Sequence, residues 1–433
     1  MERILARELG GCVGGRVWVM GWIHNVRRLG DVNFLLVRDR SGLAQAVLSK
    51  EEVEPLENFQ IGTVIRVEGT VVEAKAAPGG YELHDNRIEV ISPVVERLPL
   101  AINKTKLNVN QSFFLDHAVV GHRHADHTAI LRLSSGVMRG FRNALHARDF
   151  VEIQSPKFVA YATESGASVF SVDYFDRIAY LAQSPQFYKQ IMVGVFERVY
   201  EVGPVFRAEK HATARHLNEY VSLDVEMGFI ENHFTVMEML TTVLREILSH
   251  LQKEHLAELA LMKVSVPPVP DIIPHLHITD AQQLLANAYG SSDAIGEPDL
   301  TPAHERLLGQ WAWDTHGSDF LFITGYPMSK RPFYTHPDPD RPEYSNGFDL
   351  LFRGLELVTG GQRLHRYEDY LHAAARHGYP IEAFETYFEA FKYGMPPHGG
   401  FAIGLERFLM QLLDLDNIRL ATLFPRDINR LTP

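Results

Sequence analysis

Five largely apolar runs between residues 16 and 95, RVWVMGWIHNV, FLLVRDRSG, LAQAVLS, TVIRVEGTVVEAK and NRIEVISPVVE, are rich in Val and Ile. That composition predicts strands, with turns supplied by Asp39-Arg40-Ser41-Gly42 and Pro78-Gly79-Gly80. Five strands within about eighty residues predict a small β-barrel. Residues 96–133 show no clear period and read as an interdomain hinge. Beyond them helical spacing marks 135–148, 181–196, 236–251 and 383–393, whereas 198–207, 221–230, 320–326, 348–357 and 401–404 read as strands. FVEIQSPKFVA reads as a strand broken at Pro156, which has no N–H for the ladder. Long antiparallel strands with helices set to one side predict an α+β domain. The expected organisation is therefore a barrel at 1–95, a hinge at 96–133 and an α+β domain at 134–433, with a Pro-rich insertion at about 264–319.

Composition narrows the function. With 433 residues, 45% hydrophobic and 22% charged, and no unbroken apolar run of bilayer length, the chain is not expected to span a membrane. The balance of 42 Lys+Arg against 54 Asp+Glu, a formal charge of −12, argues against non-specific coating of nucleic acid and leaves a local grip open. Such a grip suits the barrel, because the OB-fold is the commonest small barrel that binds oligonucleotides. Cys12 is the sole cysteine, so no disulfide framework and no cysteine-rich zinc site is expected. The first ten residues lack the apolar core of a signal peptide, and the expected location is cytoplasmic.

Candidate chemistry gathers in three stretches. Val205-Phe206-Arg207-Ala208-Glu209, a polar loop from His211 to Arg215, and His216-Leu217-Asn218-Glu219-Tyr220 form two strands around a loop that can wrap a triphosphate. Arginine suits phosphate through its planar fork of donors; a structural salt-bridge network is the plainer reading. HGGFAIGLER, from His398 to Arg407, brings glycines for close backbone approach and turns into a helix. In FDLLFRGLELVTGGQR, Glu356 and Thr359 offer hard oxygens to Mg²⁺.

In order along the chain, QSPQFYKQIM, FRAEKHATARHLNEY, GGQRLHRY, YGMPPHGGFAIGLER and FPRD resemble the class II aminoacyl-tRNA synthetases. The FRAE loop is similar to motif 2, GGFAIGLERF to motif 3, and the helix ending at VEIQSP, with Pro156, to the motif 1 dimer element. Within the class the chain resembles aspartyl-tRNA synthetases of the archaeal type over nearly its whole length. The resemblance implies an OB-fold anticodon barrel, a catalytic domain with an antiparallel sheet flanked by helices, a homodimer, and ATP with Mg²⁺. By the same resemblance Arg207 clamps the ATP α-phosphate, Glu209 and His216 line the loop, Tyr220 stacks on adenine and Arg407 holds the γ-phosphate. Glu356 and Thr359 carry Mg²⁺, Thr359 standing where the family more often has Ser. Lys189 and Arg363 face the aspartate side chain, with Ser184 and Gln186 nearby and Asp224 near the α-amino group. Glu164, in ATESGAS, matches a loop that closes over the substrate, with Ser165-Gly166 where the family has Gly-Gly. Phe34 stacks on the middle anticodon base, Gln45 reads its edge, and Arg27 and Arg28 lie nearby. The reaction needs no general base: an ionised carboxylate attacks phosphorus, and the site positions it and stabilises charge.

Three alternatives differ in substrate. An asparaginyl-tRNA synthetase shares the architecture, but a neutral carboxamide gains nothing from two cations at Lys189 and Arg363. An asparagine synthetase-like or regulatory paralogue would lack the barrel or the motif arginines, both retained here. A discriminating aspartyl enzyme would serve tRNA(Asp) alone; strict enzymes tend to carry Trp at His24 and Lys at Pro78, so this pair resembles the non-discriminating branch that also charges tRNA(Asn). That product requires a tRNA-dependent amidotransferase. The PMSKR run at 327–331 and the histidines at 122–127 are set aside as chance and as a hinge feature, and Trp311 and Trp313 are expected in the core.

Overall fold

The computed structural model describes residues 3–160 and 169–432 and forms two compact units, dividing between Ala125 and Asp126. In the first, β1 (Arg16–Arg28), β2 (Asn33–Arg38), β3 (Leu43–Leu48), β4 (Val64–Glu73) and β5 (Tyr81–Ser92) close a barrel in the order β1-β2-β3-β5-β4. Alternate residues such as Val17, Val19, Leu35, Val37, Ile65 and Val67 fill its core. Ile23 pairs with Val37 and Asn25 with Leu36, which leaves His24 as the extra residue of a β-bulge.

The segment 96–133 is more ordered than its pattern suggests. It holds the short helices Gln111–Asp116 and Ala118–Gly121, and the long helix Ala125–His146 begins inside it, ten residues before the expected 135. Ile130, Leu133, Val137 and Phe141 continue one buried stripe of that helix; the polar residues Asp126, His127 and Thr128 at its start dilute the period in the sequence.

The second unit contributes β6 (Val151–Glu152), β7 (Phe158–Val159), β8 (Ser171–Tyr174), β9 (Arg177–Leu181), β10 (Arg198–Phe206), β11 (Glu219–Gly228), β12 (His275–His277), β13 (Phe320–Thr324), β14 (Gly347–Phe352), β15 (Leu355–Gln362) and β16 (His398–Gly404). Among the described residues β12-β13-β14-β15-β16-β11-β10-β6 form one sheet, antiparallel except at its two edges, and β7-β9-β8 a small second one. The helices Ala125–His146 and His233–Glu254 pack Phe141, Leu240, Leu244 and Ile247 against Leu223, Val225, Phe401 and Ile403 of the sheet. Pleating therefore sends Ser222, Asp224 and Glu226 to the opposite face, where chemistry can be built.

Four expectations change in detail. The run 348–357 is a hairpin, not one strand: Arg353 and Gly354 have φ of 49° and 73°, the left-handed pair that a tight two-residue turn requires. The helical stretch 181–196 starts only at Gln186, because β9 extends to Leu181. Residues 264–319 are built into the fold: β12 forms a sheet edge, and the helices Ile278–Tyr289 and Pro302–His316 share a core with Leu321 and Ile323 of β13. Trp311 packs partly on that core, whereas Trp313 is 55% exposed, contrary to its expected burial. Arg331, in the PMSKR run, makes a buried two-pronged ion pair with Asp349 at 3.1 and 3.0 Å.

Candidate active site

The solvent-facing side of the sheet holds one cavity lined by Arg207, Glu209, His216, Tyr220, Glu356, Thr359 and Arg407, together with Gln183, Ser184, Arg215 and Ser222. Every residue assigned to ATP or Mg²⁺ by resemblance thus meets in one place. Strands β10 and β11 pair in register from Arg198↔Met227 to Phe206↔Glu219, so Arg207 and Tyr220 flank the mouth of the same hairpin. The guanidinium of Arg207 lies 5.9 Å from the Tyr220 ring centre. Asn218 ties the loop by donating its side-chain N–H to the carbonyls of Arg207 (2.7 Å) and Glu209 (3.1 Å). Burial, and then the positive charge of Arg407, lower the pKa of His216, which keeps this imidazole neutral near pH 7.

Across the cavity, Arg407 donates to the Glu356 carbonyl at 2.8 Å and the Thr359 hydroxyl donates to Glu356 Oε1 at 3.1 Å. Burial and the neighbouring Asp349 carboxylate raise the pKa of Glu356 above the ordinary range. Two hard oxygens beside phosphate-suited arginines fit Mg²⁺, which takes few protein ligands. Among the described residues no group of three His, Cys, Asp or Glu is arranged to hold a metal.

Next to this cavity lies a buried cluster. Lys189, 1% exposed on the helix Gln186–Phe196, donates to Asp224 Oδ1 at 3.0 Å and stands 3.3 Å from Glu226 Oε2. Arg363 donates from Nε to Glu226 Oε1 at 3.0 Å and from Nη2 to the Gly400 carbonyl at 3.1 Å. Burial alone would oppose charge on Glu226, but Arg363 and Lys189 hold it below the ordinary carboxylate range. Gly400 makes the room: a Cβ there would lie 2.3 Å from Glu226 Oε2 and 2.0 Å from the Val225 carbonyl oxygen. Gln186 donates to Gln190 Oε1 at 3.0 Å, and Ser184 Oγ accepts the Gln186 N–H at 3.1 Å. Gln190 in turn meets Tyr370, Tyr387 and His398 at 2.8–3.0 Å. Burial pushes His398 down to about 4, so it is neutral.

The motif resemblance does not point to Glu226; its place two residues after Asp224 on a strand, which puts it on the same face, is the one signal for it in the sequence. Glu305, whose carboxylate contacts Glu356 from the helix Pro302–His316, carried no such signal. Glu164 lies outside the described residues.

In the barrel, Phe34 is half-buried on β2, and Arg27 and Arg28 are exposed at the end of β1, with Arg28 3.1 Å from Glu57. Gln45 is buried and donates to Glu82 Oε2 at 2.9 Å. His24 sits at the β1 bulge, its pKa lowered by burial and then by Arg38 and Arg27, and Pro78 lies in the loop between β4 and β5.

Residues 110–428 match the family "tRNA synthetases class II (D, K and N)", and residues 17–91 match "OB-fold nucleic acid binding domain". The chain is 48% identical over 431 residues to the "Aspartate--tRNA(Asp/Asn) ligase" of Thermus thermophilus, covering 100% of both chains. It is 38% identical to the "Aspartate--tRNA(Asp) ligase" of Pyrococcus horikoshii, over 97% of each. The solved asparaginyl-tRNA synthetase of Pyrococcus horikoshii complexed with asparaginyl-adenylate superposes with a TM-score of 0.91 at 28% identity, covering 100% of both. Fold, cavity and full-length likeness agree: the chain belongs to the class II tRNA synthetases of the D, K and N group, with an N-terminal OB-fold domain.

Proposed function

We propose that this protein is an aspartate–tRNA ligase that activates L-aspartate with ATP and transfers it to tRNA(Asp) and also to tRNA(Asn). The observation that carries the amino-acid assignment is the pair of buried cations, Lys189 and Arg363, beside the nucleotide cavity. In this reading the aspartate side-chain carboxylate meets these two groups, Asp224 takes the α-ammonium, and Glu226 holds Arg363 in place. Ser184 and Gln186 complete the pocket. With Asp224 engaged by the α-ammonium, a carboxamide substrate would leave Glu226 alone to balance both Lys189 and Arg363 in a low-dielectric site.

Arg207 grips the α-phosphate, Tyr220 stacks on adenine, Glu209 and His216 line the loop, and Arg407 takes the terminal phosphate. The α-carboxylate, ionised at neutral pH, attacks the α-phosphorus; the bond from that phosphorus to the oxygen bridging to the β-phosphate breaks, pyrophosphate leaves, and Arg207 stabilises the charge that develops on the α-phosphate. Bound Mg²⁺, on Glu356 and Thr359, would neutralise phosphate oxygens. The terminal adenosine of the tRNA then displaces AMP through its 3′-hydroxyl. Phe34, Gln45, Arg27 and Arg28 form the anticodon surface, and His24 with Pro78 relaxes its choice of third base. The T. thermophilus relative named for both tRNAs supports this relaxed reading. We assign the barrel to anticodon binding and the chain from residue 134 to catalysis, as a cytoplasmic homodimer whose Asp-tRNA(Asn) product passes to an amidotransferase.

The test is aminoacylation with purified tRNAs. Labelled aspartate should be joined to both, and labelled asparagine to neither. Charging of tRNA(Asp) alone would restrict the enzyme to the discriminating reading, and asparagine charging would overturn the substrate assignment.

A further inference from the structure

Glu356 is held by its backbone from two sides. Its carbonyl accepts from Arg407 Nη1 at 2.8 Å, and its N–H donates to Glu305 Oε2 at 3.2 Å. Glu305 is buried on the helix Pro302–His316, inside the stretch that reads as an insertion. The seat of that helix is tight. A Cβ on Gly309 would lie 2.5 Å from Gly354 Cα, and one on Gly354 would lie 2.8 Å from Arg306 Cα, so helix and hairpin turn touch backbone to backbone. The turn is anchored beyond it, where Arg353 donates to Asp319 from its backbone at 2.8 Å and from Nε at 2.7 Å. Thr301 starts the helix by accepting the His304 N–H at 3.3 Å, one residue before Glu305. The helix and the hairpin leading into β15 are thus joined by the Glu356–Glu305 hydrogen bond and by backbone-to-backbone contact at Gly309 and Gly354.

We propose that Glu305 is a positioning residue for the reaction, and that the helix Pro302–His316 is a buttress that sets where the Glu356 carboxylate stands. The inference rests on the reading of Glu356 as the Mg²⁺ carboxylate. A side chain that grips Glu356 at the peptide N–H fixes the direction in which its Cβ leaves the strand. The Thr359 hydroxyl then fixes the carboxylate plane from the other end. Loss of Glu305 lets the first residues of β15 relax, and a divalent cation then has to pay for reordering them.

The test uses full-length Glu305→Ala, Glu305→Gln, Gly309→Ala and Glu356→Gln variants. Three quantities are read: the Mg²⁺ concentration for half-maximal aspartate-dependent ATP–pyrophosphate exchange, Mn²⁺ binding in the presence of ATP by electron paramagnetic resonance, and thermal unfolding. Glu305→Ala should raise the half-maximal Mg²⁺ concentration and weaken Mn²⁺ binding by about tenfold, the usual effect of removing a group that orients a metal ligand. The KM for aspartate should stay unchanged. Glu305→Gln, whose carboxamide oxygen can accept the same N–H, should recover most of the loss, and Gly309→Ala should shift both readouts as Glu305→Ala does. A Glu305→Ala enzyme that melts earlier but binds both cations normally overturns the proposal, as does a Gln variant no better than Ala. If Glu356→Gln itself leaves cation binding unchanged, the reading of Glu356 fails and the proposal falls with it. If Glu356→Gln is impaired while Glu305→Ala is not, only the proposal falls.

Discussion

Thr359 donates its hydroxyl hydrogen to Glu356 Oε1 at 3.1 Å, although two residues three apart on a regular strand point to opposite faces. The register explains it. Leu350 pairs with Val358 and Leu351 with Glu356, so Leu357 is an extra residue in β15 and shifts the alternation by one. Leu357 and Val358 consequently both enter the core, and Glu356 and Thr359 both face the cavity.

The hydroxyl should therefore matter more than the methyl. Thr359→Val is expected to raise the half-maximal Mg²⁺ concentration in ATP–pyrophosphate exchange by about tenfold, with Thr359→Ser close to wild type. Equal behaviour of the two variants would show that the contact with Glu356 does not orient it.

Lys189 is the shared cation of two buried carboxylates, Asp224 and Glu226. Lys189→Met keeps the length of the side chain and removes the charge, which should lower the unfolding free energy by about 3–5 kcal/mol in urea titrations. Aspartate-dependent exchange should vanish in the same protein. An unchanged denaturation midpoint would contradict the pairing described for this cluster.

Glu406 is buried and accepts the Val221 N–H on both oxygens at 3.2 and 3.1 Å. Burial pushes its pKa up to about 7, against the ordinary 4.5. The folded state thus binds the proton more tightly, so the contribution of Glu406 is complete below about pH 4.5 and is lost as pH rises through 7, by at most about 3 kcal/mol. Glu406→Gln lacks this titration. Its stability relative to wild type should therefore rise between pH 4.5 and 8; a flat difference curve from urea melts would refute the assignment.

Phe34 stands half-buried on a barrel strand. If it stacks on a base, Phe34→Ala should raise the KM for tRNA by an amount equivalent to about 1–3 kcal/mol. Exchange measured without tRNA should be unaffected. Loss of both activities together would point to a core role instead.

His24 at the bulge and Pro78 in its loop bear on tRNA choice. The His24→Trp/Pro78→Lys double variant is expected to lose charging of tRNA(Asn) by about tenfold or more, about 1.4 kcal/mol, and to keep tRNA(Asp). A parallel fall for both tRNAs would show general damage to the barrel.

The barrel was legible because its five runs are rich in β-branched residues and are separated by turn residues such as Pro78-Gly79-Gly80. The motif residues were legible because arginines, glycines and carboxylates stand in characteristic order around Arg207, Glu356 and Arg407. The hairpin at Arg353-Gly354 was not, since the apolar residues flanking this two-residue turn read as one continuous run. The start of the helix Ala125–His146 was not legible, because its first turn carries the polar residues Asp126, His127 and Thr128 ahead of the buried stripe.

Composition, periodicity and local chemistry therefore determined from the sequence alone where most strands and helices form, which loops carry charge, and which class of reaction the chain resembles. Pairings between distant segments were decided only by the tertiary structure. The bulge that brings Glu356 and Thr359 to one face, the contact of Glu305 with Glu356, and the charge balance of Lys189 and Arg363 against Asp224 and Glu226 all depend on register and close packing across strands. Such register is set by which neighbour fits, and no single segment contains that information.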